Sequence, residues 1–259
     1  MQPNIFLAAG LAAACLLWPA VLQAQQVGFS SGDHQRTVHG SLERLAEIAE
    51  HAAEVLKTDE AAGIPKQLVD QSRCIAVFPE TYKAGVLVVG EDGDGVISCR
   101  DPSSGDWRRS APVYITWLSG SIGPQIGAAT GEHVVLFLNQ DSARRVLRDN
   151  AAFGAGVGIT LALIGGRGDV DTAPGSVVGY RMNEEGAFVG AQIRISVMTA
   201  DEEFNRRLYG PDPDLDRLLF KPHAAPKAVA AFGEALDDFA PASHYRQTRN
   251  DGLSRIGDT

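Results

Sequence analysis

Between Cys74 and Asn139 the chain sets short runs of β-branched and aromatic residues between glycines, and this punctuation most limits the folds open to it. Cys74 to Phe78, Gly85 to Val89, Val96 to Cys99, Val113 to Trp117 and His133 to Leu138 each predict a short strand. Glu91-Asp92-Gly93-Asp94-Gly95 has the composition of a hairpin connection. The clearest alternation runs from Phe188 to Val197, with Val189, Ala191, Ile193, Ile195 and Val197 on one face and Gln192, Arg194 and Ser196 on the other. The chain holds 28 glycines in 259 residues. That share, above the usual ~7%, suits a β-rich core with tight turns and close backbone contacts.

Helical patterns flank these strands. Leu42, Leu45, Ile48, Ala49, Ala52, Val55 and Leu56 recur every three or four positions between Ser41 and Lys57, opposite Glu43, Glu47, Glu50 and Glu54. That polar face is acidic, so it does not resemble a basic membrane-surface helix. A short helix is expected from about Pro65, and another over Asp141 to Arg148. Gly156 to Ile164 is apolar but too glycine-rich for a helix. Thr199 and Glu202 have capping-box spacing for a helix ending near Gly210, and Pro226 opens a last helix carrying Val229, Phe232, Leu236 and Phe239. The expected class is therefore α+β, with a mostly antiparallel, curved or barrel-like β core flanked by helices.

Residues 1–24 carry no charged side chain and hold an apolar run from Ile5 to Ala14, which predicts an export signal cleaved after Ala24. A membrane anchor is one alternative, and lipidation at Cys15 is another. Residues 25–40 form a polar leader, 41–240 a single domain and 241–259 a polar, mobile tail. Export places the protein in the periplasm or cell envelope. There Cys74 and Cys99 form either a cross-strand disulfide or a pair of buried thiols. A net charge of -9 argues against a general nucleic-acid partner, and against purely electrostatic attraction to an anionic membrane.

Catalytic motifs are incomplete. The segment Trp117 to Gly123 resembles a nucleophile elbow around Ser121 but lacks the glycine two residues earlier. Gly154, Gly156 and Gly158 do not complete a dinucleotide fingerprint, and Asp92 and Asp94 do not continue into a calcium loop. The six histidines include no pair at metal-ligand spacing. No catalytic residue, metal site or cofactor is assigned from these patterns, and the chain reads as a binding protein rather than an enzyme.

Several ordered stretches nonetheless match one family. They are Ile75 to Pro79, Lys83-Ala84-Gly85 running into Val86 to Gly90, Gly93 to Val96, and Trp107 with Ala111-Pro112. Gly120 to Ala128, Val134 to Asn139, Gly186 to Gly190, Asn205-Arg206 and Tyr209-Gly210 follow in the same order. Over about 74–210 the chain resembles the SYLF family of lipid-binding domains, whose yeast members bind actin. The resemblance implies a curved β core without catalytic residues, and binding to phosphoinositides or other anionic phospholipids. It equally leaves open a protein-interaction or scaffolding module. For an anionic headgroup the cationic candidates are Lys83, at a matched family position, then Arg108 and Arg109 beside Trp107, and Arg144, Arg145 and Arg148 on one short helix.

Overall fold

The computed structural model describes residues 42–107, 112–148, 153–154, 159–163, 177–190 and 193–246. Three helices come first: α1 (Leu42–Val55), α2 (Asp59–Ala62) and α3 (Lys66–Gln71). Two long strands follow, β1 (Cys74–Cys99) and β2 (Val113–Phe137), then α4 (Gln140–Arg148). The remaining strands are β3 (Phe153–Gly154), β4 (Ile159–Leu163), β5 (Val177–Gly190) and β6 (Ile193–Ala200). Helices α5 (Glu202–Tyr209) and α6 (Leu215–Phe220), a 3-10 turn (Lys227–Val229) and α7 (Ala230–Phe239) complete the described elements.

The strands form one six-stranded sheet in the order β3–β6–β2–β5–β4, with β1 paired to β2. Every pairing is antiparallel except β4 with β5. The α+β class with a mostly antiparallel, curved sheet is what the structure shows, and the sheet is open rather than closed.

The short strands expected between Cys74 and Cys99 are one continuous strand that doubles back on itself. Its two ends meet: Cys74 and Cys99 share a disulfide with Cα atoms 4.0 Å apart, and the Arg100 amide donates to the Arg73 carbonyl at 2.8 Å. The turn lies at Gly85 to Val88, not at the Glu91–Gly95 segment. Gly85 has φ +154°, and a Cβ there would stand 2.2 Å from the Val88 carbonyl oxygen. Gly93 and Gly95 serve a different purpose. A Cβ on them would lie 2.5 Å from the Glu80 oxygen and 2.4 Å from the Val77 oxygen, so they let the two arms of β1 approach closely. Composition marked these glycines as a turn because turn and close approach demand the same residue.

At the disulfide end β1 is buried on both faces. Cys74, Ala76 and Phe78 join Val135, Phe137 and Trp117 in a core that Ala143, Val146 and Leu147 of α4 and Leu218 and Leu219 of α6 complete. Ile75 and Val77 alternate with them and are equally buried, on the side where α1 packs against β1. Such double burial produces a continuous apolar run rather than alternation.

Two polar anchors fix the helices. Asn205 of α5 accepts from the Tyr114 amide at 2.9 Å and donates to the Tyr114 carbonyl at 2.8 Å, and the Tyr209 hydroxyl donates to the Pro112 carbonyl. The α5 cap is Asp201, accepting from the Phe204 amide at 2.8 Å, rather than the Thr199 box expected from spacing. At the carboxyl end the packed chain continues past Pro241. Tyr245 is buried, with the Arg73 and Arg100 guanidinium carbons 4.7 Å and 4.8 Å from its ring centre. Burial lowers Arg100 to about 10, opposed by the nearby Asp70 carboxylate.

Candidate functional site

The cationic candidates separate into an interior group and a surface group. Lys83 is interior: it is buried on β1, and its ammonium pairs with Glu184 of β5. Burial pushes that ammonium below its ordinary value, opposed by the hydrogen bond to Glu184. The same carboxylate lies 3.3 Å from Nε of Arg181, whose Nη1 is 3.1 Å from Glu91 Oε1. His133 Nε2 lies 3.0 Å from that Glu91 oxygen, and the Thr81 hydroxyl donates to it at 3.2 Å. The network ties the two arms of β1 to β2 and β5, and the His133 ring stacks 4.8 Å from Trp117. Charges of both signs are matched inside it, which suits a structural role. An approaching headgroup would have to displace Glu184 to reach Lys83.

Sequence patterns did not reveal this network. Glu91 looked like a turn residue, and Arg181 and Glu184 carried no motif; only register places them together.

The surface group sits on α4 and α6. Arg144 Nε lies 3.6 Å and Arg148 Nη1 3.4 Å from the Asp216 carboxylate, and Arg144 Nη1 lies 3.5 Å from Asp141. The Arg144 guanidinium also stacks on Phe220 at 4.3 Å. Arg217 and Lys221 join them around an open groove of about 510 Å³, whose other lining residues are Asp214, Leu215, Asp216 and Phe220. Four cationic side chains thus face two carboxylates. Two of the cations, Arg217 and Lys221, were not singled out in the sequence, because the α6 helix after Pro213 has no long periodic pattern to announce it. Arg145 is exposed on the same helix as Arg144 and Arg148. Arg108 and Arg109 lie outside the described residues.

A different groove, of about 490 Å³, is acidic: Glu54, Glu80, Glu132 and Glu185 line it with His51 and Asn183. Burial raises the Glu132 carboxyl, aided by Glu60 and Glu185 and opposed by a hydrogen bond from Asn183. Among the described residues no group of three His, Cys, Asp or Glu side chains is arranged to hold a metal ion. Ser121 lies within β2 and is buried, not at a strand-to-helix elbow. No described helix is long and apolar enough to cross a membrane.

No curated protein and no solved structure matches the chain. A family model does: Ysc84, described as "Las17-binding protein actin regulator", matches residues 118–239. The match begins near the start of β2 and runs past 210 to the end of α7. It therefore takes in the basic groove as well as the Asn205 and Tyr209 anchors. Over these residues the chain is similar to the SYLF family of binding domains.

Proposed function

We propose that this chain is a non-enzymatic lipid-binding protein of the cell envelope, which takes anionic phospholipid headgroups in the groove between α4 and α6. The observation that carries this reading is the sharing of Asp216 by Arg144 and Arg148, beside Arg217 and Lys221. Arg144, which also pairs with Asp141, and Arg148 keep further guanidinium donors for a phosphate, and planar guanidinium forks suit phosphate oxygens. The groove is open and its ion pairs are exposed, so each pair contributes only about 0–1 kcal/mol and yields readily to a competing anion. The family match supports a lipid- or actin-binding module in general terms. The Cys74–Cys99 disulfide supports an oxidising compartment, and the uncharged first 24 residues support export to it.

The test is charge reversal. Arg144→Glu with Arg148→Glu lowers co-flotation with phosphatidylglycerol vesicles by at least about thirtyfold, since roughly 1 kcal/mol of attraction is lost per cation near an anionic surface. An unchanged affinity would remove the groove from the account. A second reading has the family description behind it: the domain holds a polypeptide partner. That reading predicts a defined protein complex and no vesicle binding.

A further inference from the structure

At the end of the sheet away from the disulfide, β1 turns back through Val86, Leu87 and Val88. These consecutive residues expose 61%, 60% and 50% of their surface, and Ile126, paired with Val86, exposes 55%. Leu87 has φ +61°, the left-handed region that favours glycine. A branched apolar side chain is thus held in water on a backbone that disfavours it. Neither burial nor backbone preference accounts for it.

The surrounding sequence extends the feature. The pairing continues outward from the turn: Val86 pairs with Ile126 and Ile126 with Val189, while Val88 pairs with Ile122 and Ile122 with Ile193. Residues 84–90, 118–131 and 186–190 contain no charged side chain. In a chain of net charge -9 this is an uncharged cap formed by three separate segments. The first charges around it are of both signs: Lys83, Glu91, Glu185 and Arg194, which pairs with Ser121, with exposed Asp92 and Glu184 beside them.

We infer that this tip is a membrane wedge, entering the boundary between headgroups and acyl chains of a lipid bilayer. The inference shares with the proposed function only its choice of a lipid surface as partner. The two contacts are distinct, because the basic groove lies on helices packed at the disulfide end. A protein partner calls for polar and charged groups around an apolar centre, whereas a bilayer interior penalises every charge that enters it. This cap lacks charge across all three segments. It is also a convex turn, which a fluid surface accommodates. Roughly three residues of strand, about 10 Å, separate the turn at Val88 from exposed Asp92. That matches the ~5–10 Å to which interfacial segments bury their apolar face.

The experiment uses the chain from Gln25, which keeps every described element, carrying Leu87→Trp. It is mixed with neutral phosphatidylcholine vesicles containing brominated acyl chains. Emission from the introduced indole, taken as the difference from the parent chain, is expected to shift to the blue and to be quenched. Adding Arg144→Glu and Arg148→Glu makes no difference to either signal. Leu87→Asp with Val88→Asp lowers partition by at least about tenfold, the value of one buried leucine. Leu87→Gly, which keeps the turn's backbone conformation, lowers it in the same direction should the double variant fail to fold. Binding to anionic vesicles without quenching would overturn the wedge and leave the groove standing. Quenching without any anionic preference would do the reverse. No association with either vesicle would remove both. A dimer that Leu87→Asp dissociates, unquenched by lipid, would assign the tip to a second copy and overturn the wedge.

Discussion

Arg181 Nη1 lies 3.1 Å from Oε1 of Glu91, and both side chains are almost wholly removed from solvent. The pair joins β1 to β5 across β2, and His133 and Thr81 converge on the same Glu91 oxygen. Removing the carboxylate leaves two buried cations, Arg181 and Lys83, sharing the single acid Glu184. Glu91→Ala is therefore expected to lower unfolding free energy by about 3–5 kcal/mol. Urea denaturation followed by tryptophan fluorescence checks this, since Trp117 stacks on His133 within the network. A loss under about 1 kcal/mol would show that solvent reaches the cluster.

The disulfide closes the doubled-back β1. Its cysteines are separated by 25 residues, for which chain-entropy reasoning gives a stabilisation of roughly 3 kcal/mol. Cys74→Ser with Cys99→Ser should lower the urea midpoint accordingly, and reductant should shift the parent protein but not the double variant.

Leu87 carries a backbone cost independent of any membrane. Leu87→Gly is expected to raise stability by about 1 kcal/mol, since a left-handed conformation costs a branched residue roughly 1–2 kcal/mol. Gly85→Ala acts oppositely, because φ +154° and a Cβ 2.2 Å from the Val88 oxygen leave no room for a methyl group. Thermal unfolding of the two variants should move in opposite directions.

Glu132 supplies a pH-dependent test. Burial and the neighbouring Glu60 and Glu185 raise its carboxyl above the ordinary 4.5, so the folded state holds that proton more tightly than the unfolded chain. Its favourable contribution is complete below pH 4.5 and is lost as pH rises through the folded value. Glu132→Gln keeps an acceptor for Asn183, which donates to Glu132 at 2.8 Å. The variant should be more stable than the parent at pH 7, with the difference disappearing below about pH 4.5. A constant difference across that window would contradict the assignment.

The sequence carried the local structure well where one physical demand dominates. The apolar periodicity of Leu45, Ile48, Ala52 and Val55 led directly to α1, and the Asp141–Arg148 pattern to α4. It carried less where two demands share a residue type. Gly93 and Gly95 looked like a turn but permit close approach of two strand arms, so β1 was divided too finely. Lys83 lies outside the matched residues 118–239, and its surroundings depend on pairing across three strands that no local pattern encodes. The grouping of Arg144 and Arg148 was legible from helical spacing. Asp216, which holds them together, was not, because α6 has only six residues. The apolar tip was hidden for a related reason. Val86, Leu87 and Val88 resemble an ordinary buried strand until the turn at Gly85 turns them outward.

The central claim is that this domain binds anionic lipid, and flotation of the chain from Gln25 with phosphatidylglycerol and with phosphatidylcholine vesicles, at low and high salt, tests it most directly. The account predicts binding to both, with the stronger attachment to phosphatidylglycerol falling toward the neutral level as salt rises. Failure to float with either vesicle at any salt concentration would contradict it.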